Sequence, residues 1–174
     1  MKKFTRIIAA IILPAMLISL TACGGETTAT SSVNSEVSSS GQINQNASAP
    51  ADITAQIMTD ILFPSMAQIK EERLATYYDI DLDKIESFSA YICGSGAYPD
   101  EIAIFKMKSV DDVNDVKTVL DARLVKQTNT FIDYTPAEMY KIDGSNIVIN
   151  GNYIAFIICT DNAGAISTFK EMTK

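Results

Sequence analysis

Histidine is absent from the 174 residues of this chain, and cysteine occurs only three times. Triad hydrolases use a histidine as their general base, so every Ser-His-Asp and Cys-His arrangement is excluded. Metal sites that depend on histidine ligands are excluded for the same reason. The chain can therefore contain neither a histidine-based catalytic triad nor a histidine-ligated metal site.

Basic residues are also scarce. The chain has 14 lysines and arginines and 21 acidic residues, which gives a formal net charge of −7. Three of the basic residues are Lys2, Lys3 and Arg6, and without them the net charge is about −10. Nucleic acids and anionic lipid headgroups attract basic surfaces. The acidic chain is therefore not expected to bind nucleic acid.

The N-terminal segment has the pattern of a bacterial export signal. After the positive start, residues 7–20 form an apolar run that suits a secretory signal and is short for a transmembrane helix. Leu20-Thr21-Ala22-Cys23 then resembles a lipobox, in which the cysteine is diacylated and the signal is cut before it. We predict a signal peptide over 1–22 and a palmitate-type lipid anchor at Cys23, on the extracytoplasmic face of the cell membrane. The alternative is an ordinary secretory signal with an incidental cysteine.

Residues 24–50 are dominated by small and polar residues and contain no aromatic residue. Such a segment cannot bury enough apolar surface to offset its chain entropy, so 23–50 is predicted to be a lipid-anchored disordered tether. Its root-mean-square span is on the order of 30 Å. The remaining residues, 51–174, are enough for a single domain with one core.

The domain is predicted to be α+β, because paired strands alternate with helices. Residues 87–93 alternate in polarity, and residues 101–107 return antiparallel after a short turn that is rich in glycine. Residues 146–149 and 153–159 form a second hairpin through Asn150-Gly151, whose residues both accept a positive φ. We expect a small antiparallel four-stranded sheet built from two hairpins and packed with about three helices.

The strand over 153–159 is apolar on both faces and is therefore expected at the centre of the sheet. The helices that begin at Ser109 and Asp161 are expected on one face, and the N-terminal helix or a partner on the other. Cys93 and Cys159 lie at the ends of apolar strands, where buried free thiols are common, although an exported protein permits a disulfide between them.

Three local patterns resemble functional motifs but lack essential parts. Asp79, Asp81 and Asp83 have the spacing of calcium ligands in an EF-hand, but the glycine and the glutamate of that loop are missing. Residues 167–170 match the Ser-x-x-Lys start of the penicillin-recognising enzymes without their partner motifs. Residues 94–96 lack the third glycine of a dinucleotide loop and precede a strand. We therefore predict no catalytic residue, no metal site and no cofactor.

One longer pattern does resemble a known family. The glycine turn at 94–97 runs into Asp100-Glu101-Ile102-Ala103-Ile104-Phe105-Lys106, and the matching positions that follow are Arg123, Gln127, Tyr134, Pro136, Glu138 and Gly151-Asn152-Tyr153. With these residues, the chain from Ile53 to the C-terminus resembles the bacterial lipoprotein family of the domain-of-unknown-function 4358 type. The resemblance implies a secreted or lipid-anchored small α+β domain and adds no mechanism.

The resemblance also implies that five residues converge near one end of the sheet as a candidate ligand or partner surface. These residues are Ser95, Glu101, Lys106, Arg123 and Tyr153. The alternative is a structural use for each, as a turn former, a solvated charge at the rim or a core aromatic residue.

Our preferred interpretation is a lipid-anchored module that binds a ligand or a protein partner at the cell surface without catalysis. One alternative is an accessory subunit of a membrane complex that docks through the doubly apolar sheet. The other is a carboxylate-dependent envelope enzyme, with Asp100, Glu101 and Glu138 as the acid–base candidates.

Overall fold

A five-stranded antiparallel sheet forms the centre of the computed structural model, which describes residues 46–143 and 146–174. The spatial order of the strands is β1-β2-β3-β5-β4, so that β2, β3 and β5 lie inside and β1 and β4 form the edges. The strands are β1 (Met66–Gln68), β2 (Ile85–Cys93), β3 (Glu101–Met107), β4 (Asn146–Asn150) and β5 (Tyr153–Ile158).

Five α-helices accompany the sheet in the described residues, together with three short 3₁₀ turns. The helices are α1 (Pro50–Asp60), α2 (Glu71–Tyr77), α3 (Val113–Tyr134), α4 (Met139–Asp143) and α5 (Asn162–Met172). The 3₁₀ turns are Leu82–Lys84, Val110–Asp112 and Pro136–Glu138.

The expectation of four strands and about three helices is therefore wrong, although the architecture is α+β. Strand β1 has three residues, which is too short for polarity alternation to reveal it. Helix α4 has five residues and follows Pro136, so it is too short for a helical period to reveal it. Proline is readily accommodated in the first turn of a helix, and here Pro136 begins the 3₁₀ turn that leads into α4.

The second hairpin turns one residue later than its sequence indicates. Asn150 is paired with Tyr153, so the two turn residues are Gly151 and Asn152, and Gly151 has a φ of 58°. The fully buried side chain of Asn152 donates a hydrogen bond to the carbonyl of Met107 at 2.7 Å. Asn152 thus fixes the turn to the end of β3.

Both faces of β5 are covered, as its sequence predicts. The face with Ile154, Phe156 and Ile158 packs against α3, and α2 and α4 join the same core. The opposite face, with Tyr153, Ala155 and Ile157, packs against α1 and α5. The expectation that α3 and α5 share a face is wrong, because α1 alone, with 11 residues, is too short to cover the second face and α5 packs beside it.

Residues 46–50 form the last part of the predicted tether and lie against the domain. The backbone N–H of Ser48 donates to the carbonyl of Met172 at 2.9 Å. Ala47 packs against the core between the sheet and helices α1 and α5, which we call the second core. The predicted signal peptide, Cys23 and the tether up to residue 45 lie outside the described residues. Within the described ranges, no helix is both long enough and apolar enough to cross a membrane.

Candidate ligand site

The structure brings the five expected residues together in two pairs and one turn, but it does not bring all five to one place. Glu101 and Lys106 stand at opposite ends of β3, about 17 Å apart along the strand. Alternation along β3 also places Glu101 on the α3 face of the sheet and Lys106 on the face that α1 and α5 cover. Arg123 accompanies Glu101, Tyr153 accompanies Lys106, and Ser95 lies in the turn between β2 and β3. The predicted common surface is therefore not formed.

Glu101 lies at the centre of a buried hydrogen-bonded group, which we call the Glu101 cluster and which contains Tyr78, Glu101, Arg123 and Gln127. The Tyr78 hydroxyl donates to Oε1 at 2.6 Å, and the Gln127 amide donates to Oε2 at 2.6 Å. Arg123 donates from Nε at 3.0 Å and from Nη2 at 2.7 Å. The Glu101 carboxylate is fully buried and both of its oxygens are occupied.

The electrostatics of the Glu101 cluster favour this one arrangement of charges. Burial raises the pKa of Tyr78 well above its ordinary value, and the charge of Glu101 adds to the effect. Burial opposes the charge of Arg123, but the hydrogen bonds and the charge of Glu101 outweigh it and leave the guanidinium pKa raised. The cluster therefore keeps a neutral phenol and a charged guanidinium around the carboxylate.

Lys106 and Tyr153 form a second, separate group near the other end of β3. They are register partners on β3 and β5, and the Lys106 ammonium lies 5.7 Å from the centroid of the Tyr153 ring. The ammonium also pairs with Glu86 at 2.8 Å, and its hydrogen bond to that carboxylate raises the Lys106 pKa although burial opposes it. Tyr153 is buried in the second core, so these residues serve packing and charge pairing.

Ser95 closes the glycine turn rather than pointing to a ligand. Its Oγ accepts a hydrogen bond from the backbone N–H of Ala97 at 3.2 Å and lies 3.3 Å from the Cys93 sulfur. Gly96 supplies the positive φ, 66°, that the turn requires. Burial raises the pKa of the Cys93 thiol, but hydrogen bonds from Ser95 and the turn backbone outweigh it and leave the pKa lowered.

A different charged group stands at the end of the sheet where β3 begins. Asp100, only 1% exposed, accepts a hydrogen bond on Oδ2 from the Lys141 ammonium at 2.7 Å. Lys141 also pairs with Glu138 at 2.8 Å. Burial lowers the Lys141 pKa, but the two carboxylates outweigh it and leave the pKa raised. The second oxygen of Asp100, Oδ1, has no hydrogen-bond partner among the described residues.

Asp100 and Lys141 line a recess of about 280 Å³, which we call the Asp100 recess. Leu62 at its rim is 87% exposed, and Tyr98 is 44% exposed. The Lys141 ammonium lies 5.5 Å from the centroid of the Tyr98 ring. The remaining lining residues are Phe63, Pro64 and Thr160. Partly exposed apolar side chains therefore surround a buried charged group.

Sequence reasoning named Asp100 and Glu138 only as acid–base candidates and missed Lys141. The signal available was the spacing of Glu138 and Lys141, three residues apart, which makes an ion pair on a helix. The partnership with Asp100, 41 residues away in the chain, has no local signal. Asn162 holds this region together, because its amide donates to the Lys141 carbonyl at 2.7 Å and its oxygen accepts from the Cys159 backbone.

The described residues contain no group of three or more histidine, cysteine or acidic side chains that could hold a metal ion. Asp81, part of the apparent calcium pattern, instead accepts a hydrogen bond from the Asp83 backbone at 3.0 Å and caps the first 3₁₀ turn. Cys93 and Cys159 are buried free thiols.

A family model described as Domain of unknown function (DUF4358) matches residues 60–159, more than half of the chain. A search of the curated proteins and a search of the solved structures each gave no match. The matched range runs from the end of α1 to the end of β5. It therefore includes both the Glu101 cluster and most of the lining of the Asp100 recess.

Proposed function

Because the chain belongs to the DUF4358 family, a domain of unknown function, we propose a role for it from its own residues. In this proposal the protein is a lipid-anchored module on the extracytoplasmic face of the cell membrane, and it binds a ligand at the Asp100 recess without catalysing a reaction. The lipid anchor is the acylated Cys23, and residues 24–45 connect it to the domain.

The main support for binding is the composition of the Asp100 recess. Ligand sites are concave, mostly apolar and equipped with a few polar groups that fix the orientation of the ligand. Leu62 and Tyr98 supply apolar surface that folding leaves in solvent, while Asp100 and Lys141 are held almost fully buried beside it. A large apolar side chain that is 87% exposed next to a buried ion pair is well placed to contact a ligand.

The state of the carboxylates favours binding over catalysis. A general acid or base must be within hydrogen-bond reach of the proton that it transfers. Glu101 is fully buried, and Tyr78, Arg123 and Gln127 occupy its oxygens. Asp100 and Glu138 are both held by the Lys141 ammonium. These three carboxylates are the acid–base candidates that the sequence suggests.

The covered sheet also weighs against an accessory subunit that docks through the apolar sheet. Docking through the sheet requires an open apolar face. In the described part of the chain, α3 covers one face of β5, and α1 and α5 cover the other. Ligand binding at the end of the sheet requires no such face.

The anchor is tested by metabolic labelling with a fatty-acid analogue. We expect the full chain to be labelled and to sediment with membranes, and Cys23→Ser to abolish both. Cys93→Ser is the matched control, because Cys93 is a buried thiol of the domain and should leave the labelling unchanged. An unlabelled wild-type chain would refute the lipid anchor.

The binding function is tested by a thermal-shift screen of small molecules on the full chain in non-ionic detergent. A ligand at a hundred times its Kd stabilises the folded state by about 2.7 kcal/mol, which raises Tm by several degrees. Leu62→Ser should remove the shift for ligands of the recess. Leu82→Ser, at a residue that is 40% exposed and lines a different recess, should keep it. If no compound gives a shift that depends on Leu62, the Asp100 recess is not the binding site.

A further inference from the structure

We infer that the Asp100 recess takes a small ligand in which a protonated amine adjoins a compact apolar group. The inference rests on the proposed function, since it names the chemistry of the ligand at the same site. Three features of the recess lead to it: an unpartnered carboxylate oxygen, a local excess of negative charge and a small apolar rim.

The Oδ1 atom of Asp100 can accept a hydrogen bond from a donor group of a ligand. An ionised carboxylate only accepts hydrogen bonds, and a buried acceptor that lacks a donor is costly. Oδ2 of Asp100 has the Lys141 ammonium at 2.7 Å, whereas Oδ1 has no partner among the described residues. A ligand that brings a donor to Oδ1 would therefore relieve an existing cost as well as add a contact.

The donor has to enter past the lining, because Oδ1 is closed to solvent in this arrangement. Tyr98 is a lining side chain with room to move aside. It is 44% exposed and follows the glycine turn, where Gly96 already holds a positive φ of 66°. Its neighbour Lys141 is held more firmly, since Lys141 is 5% exposed and is tied to both Asp100 and Glu138.

The charges at the recess select a cation. Asp100 and Glu138 contribute two carboxylates against the single ammonium of Lys141. A hydrogen bond with an ionised partner is about twice as strong as a neutral one, so Asp100 strengthens a bond from a hydroxyl as well as from an ammonium. The excess of negative charge also attracts an ammonium, whereas it does not attract a neutral hydroxyl and it repels a carboxylate.

The size and the rim of the recess determine the size and the polarity of the rest of the ligand. The recess volume of about 280 Å³ is just below the usual range for pockets of drug-sized ligands, about 300–1,000 Å³, so the ligand should be small. The rim consists of Leu62, Phe63 and Pro64, which offer apolar contact and no charge. The ring of Tyr98, already 5.5 Å from one ammonium, presents a surface that attracts cations. A short branched alkylamine meets all of these conditions.

The test uses three probes with the same branched carbon skeleton: 3-methylbutylamine, 3-methylbutanol and 3-methylbutanoate. Each is titrated by calorimetry into the full chain in non-ionic detergent near neutral pH. We expect the amine to bind at least ten times more tightly than the alcohol and the carboxylate to show no binding. Equal affinities for the amine and the alcohol would overturn the inference.

Variants tie the selectivity to the site. Asp100→Asn keeps a hydrogen-bonding group but removes the charge, so the ratio of amine to alcohol affinity should fall to within about twofold. Glu86→Gln makes the same chemical change in the exposed ion pair with Lys106, at the other end of β3, and should leave the ratio unchanged. An unchanged ratio in Asp100→Asn would contradict the inference.

A second variant keeps the test valid if Asp100→Asn does not fold. Leu62→Ser changes a side chain that is 87% exposed, so it should not disturb the core, and it should weaken amine binding at least fivefold. Failure of the amine probe, while other compounds give shifts that depend on Leu62, would refute the ligand chemistry and leave the proposed function standing. Failure of both would refute the proposed function as well.

Discussion

Removal of the Arg123 side chain should destabilise the domain far more than removal of an ordinary surface cation. The Arg123 side chain is 11% exposed, and it neutralises a Glu101 carboxylate that is fully buried. Arg123→Met keeps most of the apolar stem and the helical preference of α3 but removes the counter-charge of the Glu101 carboxylate. Among the described residues, Tyr78 and Gln127 remain as its side-chain donors. The perturbation is therefore the loss of a counter-charge rather than the loss of packing.

The expected cost follows from the asymmetry of buried ion pairs. Breaking such a pair by removing one partner costs about 3–5 kcal/mol, because a buried charge is left uncompensated. Arg123 is slightly exposed and water relieves part of this, so we expect about 3 kcal/mol. Lys117→Met is the matched control on the same helix, because its pair with Asp121 is exposed and is worth about 0.5 kcal/mol or less.

The assay is urea unfolding of the segment 46–174, which contains both cores. With a slope of about 2 kcal/mol per molar urea, Arg123→Met should lower the midpoint by about 1.5 M, whereas Lys117→Met should lower it by less than about 0.3 M. Adding Glu101→Gln to Arg123→Met should recover at least half of the loss, because the unpaired charge is gone. Equal midpoints for the two single variants would show that the Glu101 cluster does not hold the fold together.

Three further predictions concern the core, the thiols and the response to pH. Leu120 is fully buried against the sheet, so Leu120→Ala should cost about 2–5 kcal/mol in the same assay. At neutral pH, iodoacetamide should modify Cys93, whose thiol pKa is lowered, before Cys159, whose pKa burial raises to about 11. Cys93→Ser should remove the faster reaction. The folded pKa of Lys141 lies above its ordinary value of 10.5, so its stabilising contribution is complete below that pH and is lost as the pH rises through the folded pKa. Above pH 10.5, the midpoint should therefore fall more steeply in wild type than in Lys141→Met.

The strands with a clear polarity pattern could be located from the sequence. The range 101–107 of β3 agrees with its prediction, and the two apolar faces of β5 placed that strand inside the sheet correctly. Asp161 caps α5 through its contact with the backbone N–H of Gly164 at 2.9 Å, as its position before the helix indicates. These features depend on local chemistry, which the sequence contains directly.

What was missed depends on contacts between distant segments. Strand β1 forms because its three residues pair with β2, and three residues are too few for a sequence pattern to indicate this pairing. The face on which α5 packs depends on how much of the sheet α1 leaves uncovered. The separation of Lys106 from Glu101, by contrast, could have been foreseen, because residues five apart on one strand lie on opposite faces.

Asp100 and Glu101 show how the start of one strand produces two different environments from two adjacent acids. Alternation directs Glu101 to the α3 face, where three side chains provide donors to both of its oxygens. Asp100 stands just before β3, where Lys141 donates to one of its oxygens, and within the described part of the chain the other oxygen has no partner. A satisfied carboxylate stabilises the fold and has nothing left to offer a ligand. The incomplete one still has a hydrogen bond to accept, which is why recognition is expected at Asp100 rather than at Glu101.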